Sequence, residues 1–222
     1  MAMNVLLIGA SRGIGLEFVR QYRADHCAVT ATARDDAGLN RLRQLGASVL
    51  RLDVVDEACV SGLASELKPS WFDVVIICAG AASHLEALEA PTEAAFDSIM
   101  HANVLGPMRV IPSVVTALAP GAKVAVLSSR LGSIGGRTQT GMWVYRASKA
   151  ALNSVLKDVS LALGHRATCV SLHPGWVRTD MGGVAADIDV ADSVAGMRKV
   201  IASLNSSDTG SFRNYDGESI PW

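Results

Sequence analysis

The chain lacks an excess of either charge. Its 222 residues carry 20 Lys and Arg against 21 Asp and Glu, a formal net charge of −1. That balance gives no drive towards a phosphate backbone, so no nucleic-acid partner is expected. Long apolar runs are missing too. The longest, 74–82, contains a glycine. A membrane helix needs about 20 apolar residues, so no membrane partner is expected. The N-terminal residues have no basic segment, and the apolar run after them is too short for a signal peptide, which points to the cytoplasm. Cys27, Cys59, Cys78 and Cys169 form no C-x-x-C pair, and all but Cys59 lie in apolar runs. Buried free thiols of a reducing compartment are the simplest reading. No His pair stands at ligand spacing, so no metal is expected. Gly and Pro make only about 12 % of the chain, well under the roughly 25 % of low-complexity sequence.

What is present is hydrophobic substance: 50 % hydrophobic and 18 % charged residues exclude disorder, and the length suits one domain, 1–222. Short β-like runs at 4–8, 28–33, 48–52, 74–78, 123–127, 168–172 and 210–214 alternate with helix-like stretches at 14–23, 39–45, 57–67, 93–105, 108–118, 145–163 and 191–204. The strand runs are continuously apolar, as strands buried on both faces require. Repeated strand–helix units imply right-handed crossovers. The expected fold is therefore α/β: a doubly wound, Rossmann-type parallel sheet of about seven strands with helices on both faces. A β/α barrel, usually of eight units, is the alternative. Two long loops, 130–144 and 175–190, fall beyond strand carboxyl ends, where such sheets bind ligands.

The first strand ends in Gly9-Ala10-Ser11-Arg12-Gly13-Ile14-Gly15 and an apolar-periodic helix follows. Glycines permit the tight turn and bring backbone N–H groups close to a pyrophosphate, which the helix N-terminus also attracts. The plainer alternative is a tight turn and nothing more. At the end of the second strand Ala33 is too small and apolar to hydrogen-bond a ribose. Arg34, together with Arg12, could clamp a 2′-phosphate, which favours NADP(H). Asp35 and Asp36 oppose this unless they cap the next helix; otherwise Arg34 is a solvated loop charge.

Tyr145 and Lys149 stand four residues apart and share a helical face. A lysine cation beside a phenol favours the phenolate and draws its pKa towards the working range, so Tyr145 is a candidate acid–base for a carbonyl–alcohol pair. A solvated helix face is the alternative. Ser128 and Ser129 follow the fifth strand run, where a hydroxyl can donate to a substrate oxygen. Asn103 is an amide in an apolar helix and needs partners.

With these residues in view, the chain resembles the short-chain dehydrogenases/reductases, and among them the sniffer and C-factor-like carbonyl reductases. The resemblance spans nearly the whole chain: Gly9-x-x-x-Gly13-Ile14-Gly15, Asp53-Val54, Cys78-Ala79-Gly80, Asn103, Ser129, Tyr145-x-x-x-Lys149 and Pro174-Gly175, in order. It implies that Ser129 holds the substrate carbonyl, that Tyr145 protonates it, that Lys149 binds the nicotinamide ribose and lowers the tyrosine pKa, and that Asn103 holds a relay water. It also implies that Asp53 and Val54 contact the adenine, and Val177 and Thr179 the nicotinamide end. Three departures stand out. Ile8 replaces the family's Thr, Cys78 replaces its Asn, and the spacing from Ser129 to Tyr145 is widened by residues between Gly135 and Gly141.

The reading that follows is an NADP(H)-dependent oxidoreductase acting on a small carbonyl or alcohol. The alternative is a cofactor-binding signalling or sensor protein of the same fold with little turnover. Met142, Trp143, Trp176 and Met181 either line an apolar substrate mouth or pack a lid. Relatives pair as homo-oligomers through the helices bearing Asn103 and Tyr145, and the apolar stretches at 110–118 and 150–163 supply either such a surface or core.

Overall fold

The computed structural model describes residues 2–67 and 71–222. The chain alternates strand and helix from β1 (Asn4–Ile8), α1 (Gly13–Ala24), β2 (Ala28–Ala33), α2 (Asp36–Gln44) and β3 (Ser48–Arg51) to the short α3 (Glu57–Ser61) and α4 (Leu63–Glu66). β4 (Phe72–Ile77) and α5 (Glu93–Met100) come next, then a π turn (His101–Leu105) and α6 (Gly106–Val115). The remainder is β5 (Leu118–Leu127), α7 (Trp143–Leu163), β6 (Ala167–His173), α8 (Val190–Ser203) and β7 (Ser211–Asn214). The seven strands form one sheet in the order β3-β2-β1-β4-β5-β6-β7, and every neighbouring pair is parallel. The sheet is open, which excludes the barrel. Chain order reverses between β1 and β4, and the crevice beyond their carboxyl ends is where such sheets take ligands.

The continuous apolar runs have a plain cause. Val5 and Leu7 face a core shared with Phe18 and Val19 of α1, Leu42 of α2 and Met197 of α8. Leu6 and Ile8 face the opposite core, with Val110 and Val114 of α6 and Leu152 and Leu156 of α7. Successive strand residues point to opposite faces, so both parities must be apolar.

Several boundaries differ from the sequence reading, two of them at residues expected to break an element. The expected break between helices at 105–108 is a π turn leading straight into α6, with Pro107 in its first turn, a position that tolerates a missing N–H. The expected helix at 108–118 ends at Val115, and β5 begins at Leu118, ahead of Pro120-Gly121. Of the cysteines expected to be buried, Cys27 and Cys169 are; Cys59 and Cys78 are partly exposed.

Candidate active site

The glycine loop leaves β1 with Gly9 at φ +79°, where a Cβ would lie 2.7 Å from the Ala79 backbone, and turns at Gly13 with φ +53°. Side chains are excluded at the first by both contact and conformation. Gly15 lets α1 press on the strand end: a Cβ there would sit 2.7 Å from the Gly9 carbonyl oxygen. The Gly9 N–H donates to the hydroxyl of buried Thr32 at 2.9 Å. Arg12 occupies the N-cap of α1 without a side-chain cap, and the first turn holds no acidic residue. The helix therefore presents free N–H donors and an unopposed positive end.

The acidic residues after β2 are committed elsewhere. Asp35 caps α2, accepting from the Gly38 N–H at 2.7 Å, and Asp36 pairs with Arg51. Arg34 is exposed. Arg12 reaches Asp180 across the crevice at 3.4 Å, with both side chains largely solvated, a pair of little energetic weight. Arg41, which sequence reasoning missed, donates from Nε to the Ser11 carbonyl at 2.9 Å and adds a third guanidinium to this corner. Asp53 lies past β3 with its carboxylate accepting from the Val55 N–H. Val54 is buried against Gly106, where a Cβ would lie 2.9 Å from it.

Ser129 follows β5 and is 7 % exposed; Tyr145 and Lys149 project from the first turns of α7 at 9 % and 5 %. The Ser129 hydroxyl accepts from the Leu131 N–H at 3.2 Å. Lys149 Nζ donates to the Leu127 carbonyl at 2.8 Å and lies 5.8 Å from the Tyr145 ring centroid. Burial raises the Tyr145 pKa above the ordinary phenol value, with the nearby Ser129 hydroxyl pulling weakly the other way. Desolvation disfavours the charged phenolate, so the buried hydroxyl holds its proton. Lys149 itself is pulled down to about 8 by burial.

Asn103, fully buried in the π turn, ties three elements together. Its Oδ1 accepts from the Ala81 N–H at 2.7 Å, and its Nδ2 donates to the Ala81 carbonyl and to Ser148 Oγ, both at 2.9 Å. Ser148 Oγ in turn donates to the Tyr145 carbonyl at 2.8 Å. At Gly80 a Cβ would lie 3.0 Å from Asn103 Oδ1 and 3.4 Å from Lys149 Nζ. A side chain there would separate the loop after β4 from both.

The segment after β6 closes the crevice. Gly175, at φ +85°, leaves room for Ile188, and Pro174 is held by a 2.6 Å hydrogen bond from Ser193. Val177 is buried and bridges to Ile188. Thr179 rests over Gly13, where a Cβ would lie 3.5 Å from its Cγ2. Trp143, Trp176 and Met181 are 37 %, 51 % and 47 % exposed. Met142 caps α7 in the left-handed region at φ 50°, and buried Arg146 secures this corner through the Gly141 and Thr140 carbonyls.

A family model described as enoyl-(acyl carrier protein) reductase matches residues 9–207. The chain belongs to the short-chain dehydrogenase/reductase family of oxidoreductases. It is similar to C-signal of Myxococcus xanthus, 45 % identical over 123 residues covering 54 % of this chain and 74 % of that protein. It is also similar to the solved carbonyl reductase Sniffer of D. melanogaster, with a TM-score of 0.92, 29 % identity and full coverage of both chains. A third likeness is to the NADPH-bound carbonyl reductase from chicken fatty liver, with a TM-score of 0.89, 31 % identity, and 100 % and 99 % coverage.

Against that family background two of the departures have local explanations. Where Ile8 replaces Thr, the Gly9 N–H finds the Thr32 hydroxyl. Where Cys78 replaces Asn, the Cys78 and Ala79 N–H groups donate to the Ile8 carbonyl at 2.8 and 3.1 Å, and Asn103 holds Ala81. The residues that widen the Ser129–Tyr145 spacing form a loop pinned by the carbonyls of Pro221 and Trp222, which accept from Ser133 Oγ at 2.5 Å and from the N–H groups of Ile134 and Gly135 at 2.8 and 2.9 Å.

Proposed function

We propose that this chain transfers a hydride between NADP(H) and a small carbonyl or alcohol substrate, with Tyr145 as the acid–base. The observation that carries the reading is the burial of Ser129, Tyr145 and Lys149 together at the carboxyl end of β5, beside the glycine loop. The residues suit the cofactor. The open N-terminus of α1 and the side-chain-free Gly9 and Gly13 fit a pyrophosphate. Arg12 and Arg34 fit a 2′-phosphate, since Asp35 and Asp36 already have partners. Bound nicotinamide would supply the hydride chemistry; the chain supplies position and a proton.

In this reading Ser129 holds the substrate oxygen. Tyr145, whose proton is firmly held in its buried site, donates it once that oxygen gains charge, so it serves as acid in the reducing direction. Lys149 holds the nicotinamide ribose. Asn103, whose side chain is engaged with Ala81 and Ser148, holds a water for proton relay. Asp53 and Val54 hold the adenine; Cys78, Ala79 and Gly80 line the middle of the crevice; and Pro174, Gly175, Val177 and Thr179 hold the nicotinamide end.

The test is NADPH oxidation, followed by absorbance, against a panel of ketones, aldehydes and quinones. Turnover is expected in the wild type and lost in Tyr145→Phe with NADPH binding retained. If NADH outperforms NADPH, the clamp assigned to Arg12 and Arg34 is wrong. The likeness to C-signal favours a second reading, a cofactor-binding signalling protein. NADPH binding with no turnover across the panel would establish that reading instead.

A further inference from the structure

α7 presents more than Tyr145 and Lys149 to β5. One turn beyond Lys149 the same face carries Asn153, 4 % exposed. Its Oδ1 accepts from Ser128 Oγ at 2.6 Å in a wholly buried contact. Ser128 is the residue before Ser129. We propose that Asn153 is a positioning residue for the reaction: through Ser128 it fixes the strand end that carries Ser129 against the helix that carries Tyr145 and Lys149. This rests on the reading of those three residues given above.

Two observations support a role in alignment over one in stability. First, the other tie between α7 and this strand end is made by a group with a second task. Lys149 Nζ bonds the Leu127 carbonyl, but the same ammonium has to serve a ribose in the working enzyme, and it titrates in the mildly alkaline range. The Ser128–Asn153 bond involves no ionisable group and stays on the core side of the crevice. Second, burial alone does not favour an amide here. Asn153 sits between turns bearing Leu152 and Leu156, both buried, and its Nδ2 has no partner among the described residues. Ser171, on the adjacent strand, also has a buried hydroxyl without a partner among the described residues. An aliphatic side chain would relieve the burden of an unsatisfied polar group.

Replacing both members of a buried polar pair by apolar groups is close to neutral for stability, whereas removing one leaves the other stranded. The experiment therefore compares Ser128→Ala, Asn153→Leu, the double variant and Ser128→Thr. Each is measured for thermal midpoint, NADPH Kd, and kcat and KM on a carbonyl substrate turned over by the wild type but not by Tyr145→Phe. Small misalignments of reacting groups cost large factors in rate. The expectation is a kcat about tenfold lower in Ser128→Ala, with NADPH Kd within about twofold of wild type and activity largely restored in Ser128→Thr. The double variant is expected to melt no earlier than the wild type, yet to be no faster than Ser128→Ala.

A kcat in the double variant equal to wild type overturns the proposal. So does a loss of rate that tracks the thermal midpoint across the series. If Asn153→Leu fails to fold, Ser128→Ala and Ser128→Thr decide the matter alone, because neither empties a large volume. Absence of wild-type turnover overturns the functional reading and this proposal together; normal turnover with an indifferent Ser128→Ala overturns only the latter.

Discussion

His173 ends β6, just before Pro174-Gly175, and its imidazole should set the acid limit of the fold. Burial lowers its pKa to about 4 from an ordinary 6.5, reinforced by the Arg130 guanidinium and opposed by Asp216. Its Nδ1 is buried without a partner among the described residues, so none of them offers an acceptor to offset the charged form. The folded state thus keeps the ring neutral down to about pH 4, while the unfolded chain takes up a proton below 6.5. Acid therefore favours unfolding: stability is intact above 6.5 and is lost as pH falls towards 4. Integrating the two titrations gives a loss of about 2 kcal/mol by pH 5 and about 3 kcal/mol by pH 4. The perturbation is His173→Asn, which cannot titrate. Urea unfolding followed by tryptophan fluorescence at pH 7.5, 6, 5 and 4 should show a wild-type stability falling away from that of the variant by those amounts. Parallel curves for the two proteins would mean that His173 is not held neutral in the folded state, because every other acid-sensitive group is common to both.

Gly9→Ala should cost the fold about 1–3 kcal/mol from the left-handed backbone alone. It should also weaken NADPH binding at least tenfold, since its Cβ would displace Ala79; calorimetric titration and a thermal melt check both, and an unchanged Kd would contradict the cradle. NADPH affinity should fall roughly tenfold as pH rises through about 8 and Lys149 loses its charge, a charge-assisted hydrogen bond being worth about 1.5–3 kcal/mol. Lys149→Met should bind more weakly at pH 7 and show a flat profile, and a wild-type profile without an inflection near pH 8 would count against the role given to that ammonium.

Much of this architecture was legible in the sequence for a simple reason. β1 and β2 lie inside a parallel sheet, so every residue of 4–8 and 28–33 after Asn4 is apolar or small, and both strands start and stop where the sequence reading put them. Reading failed where a breaker is accommodated. Gly106-Pro107 looked like an end to helix, yet a π turn carries the chain through it. Pro120-Gly121 looked like a boundary, yet β5 already pairs with β4 at Leu118, across a register shift. In the candidate site, Tyr145 and Lys149 were singled out by spacing, Ser129 by its place after a strand and by the family resemblance, and Asn103 by its isolation in an apolar helix. The contacts that organise them were not. Asn103–Ala81, Ser128–Asn153 and Arg12–Asp180 join residues 22, 25 and 168 positions apart, and such pairs leave no periodic trace. Asn153 alone had a local signal, as the next polar residue on the Tyr145–Lys149 face.

The π turn at His101–Leu105 settles a conflict between chemistry and packing. A turn of this kind amounts to one residue inserted into a regular helix, and each helical residue advances the side chains by about 100°. The insertion lets Asn103 face Ala81 and Ser148 while Val110, Ile111 and Val114 still meet the sheet. Excise that residue and the downstream helix would rotate its greasy stripe towards solvent. The amide's orientation and the hydrophobic seal of one whole side of the molecule are locked to the same phase, so neither can drift through mutation without dragging the other along.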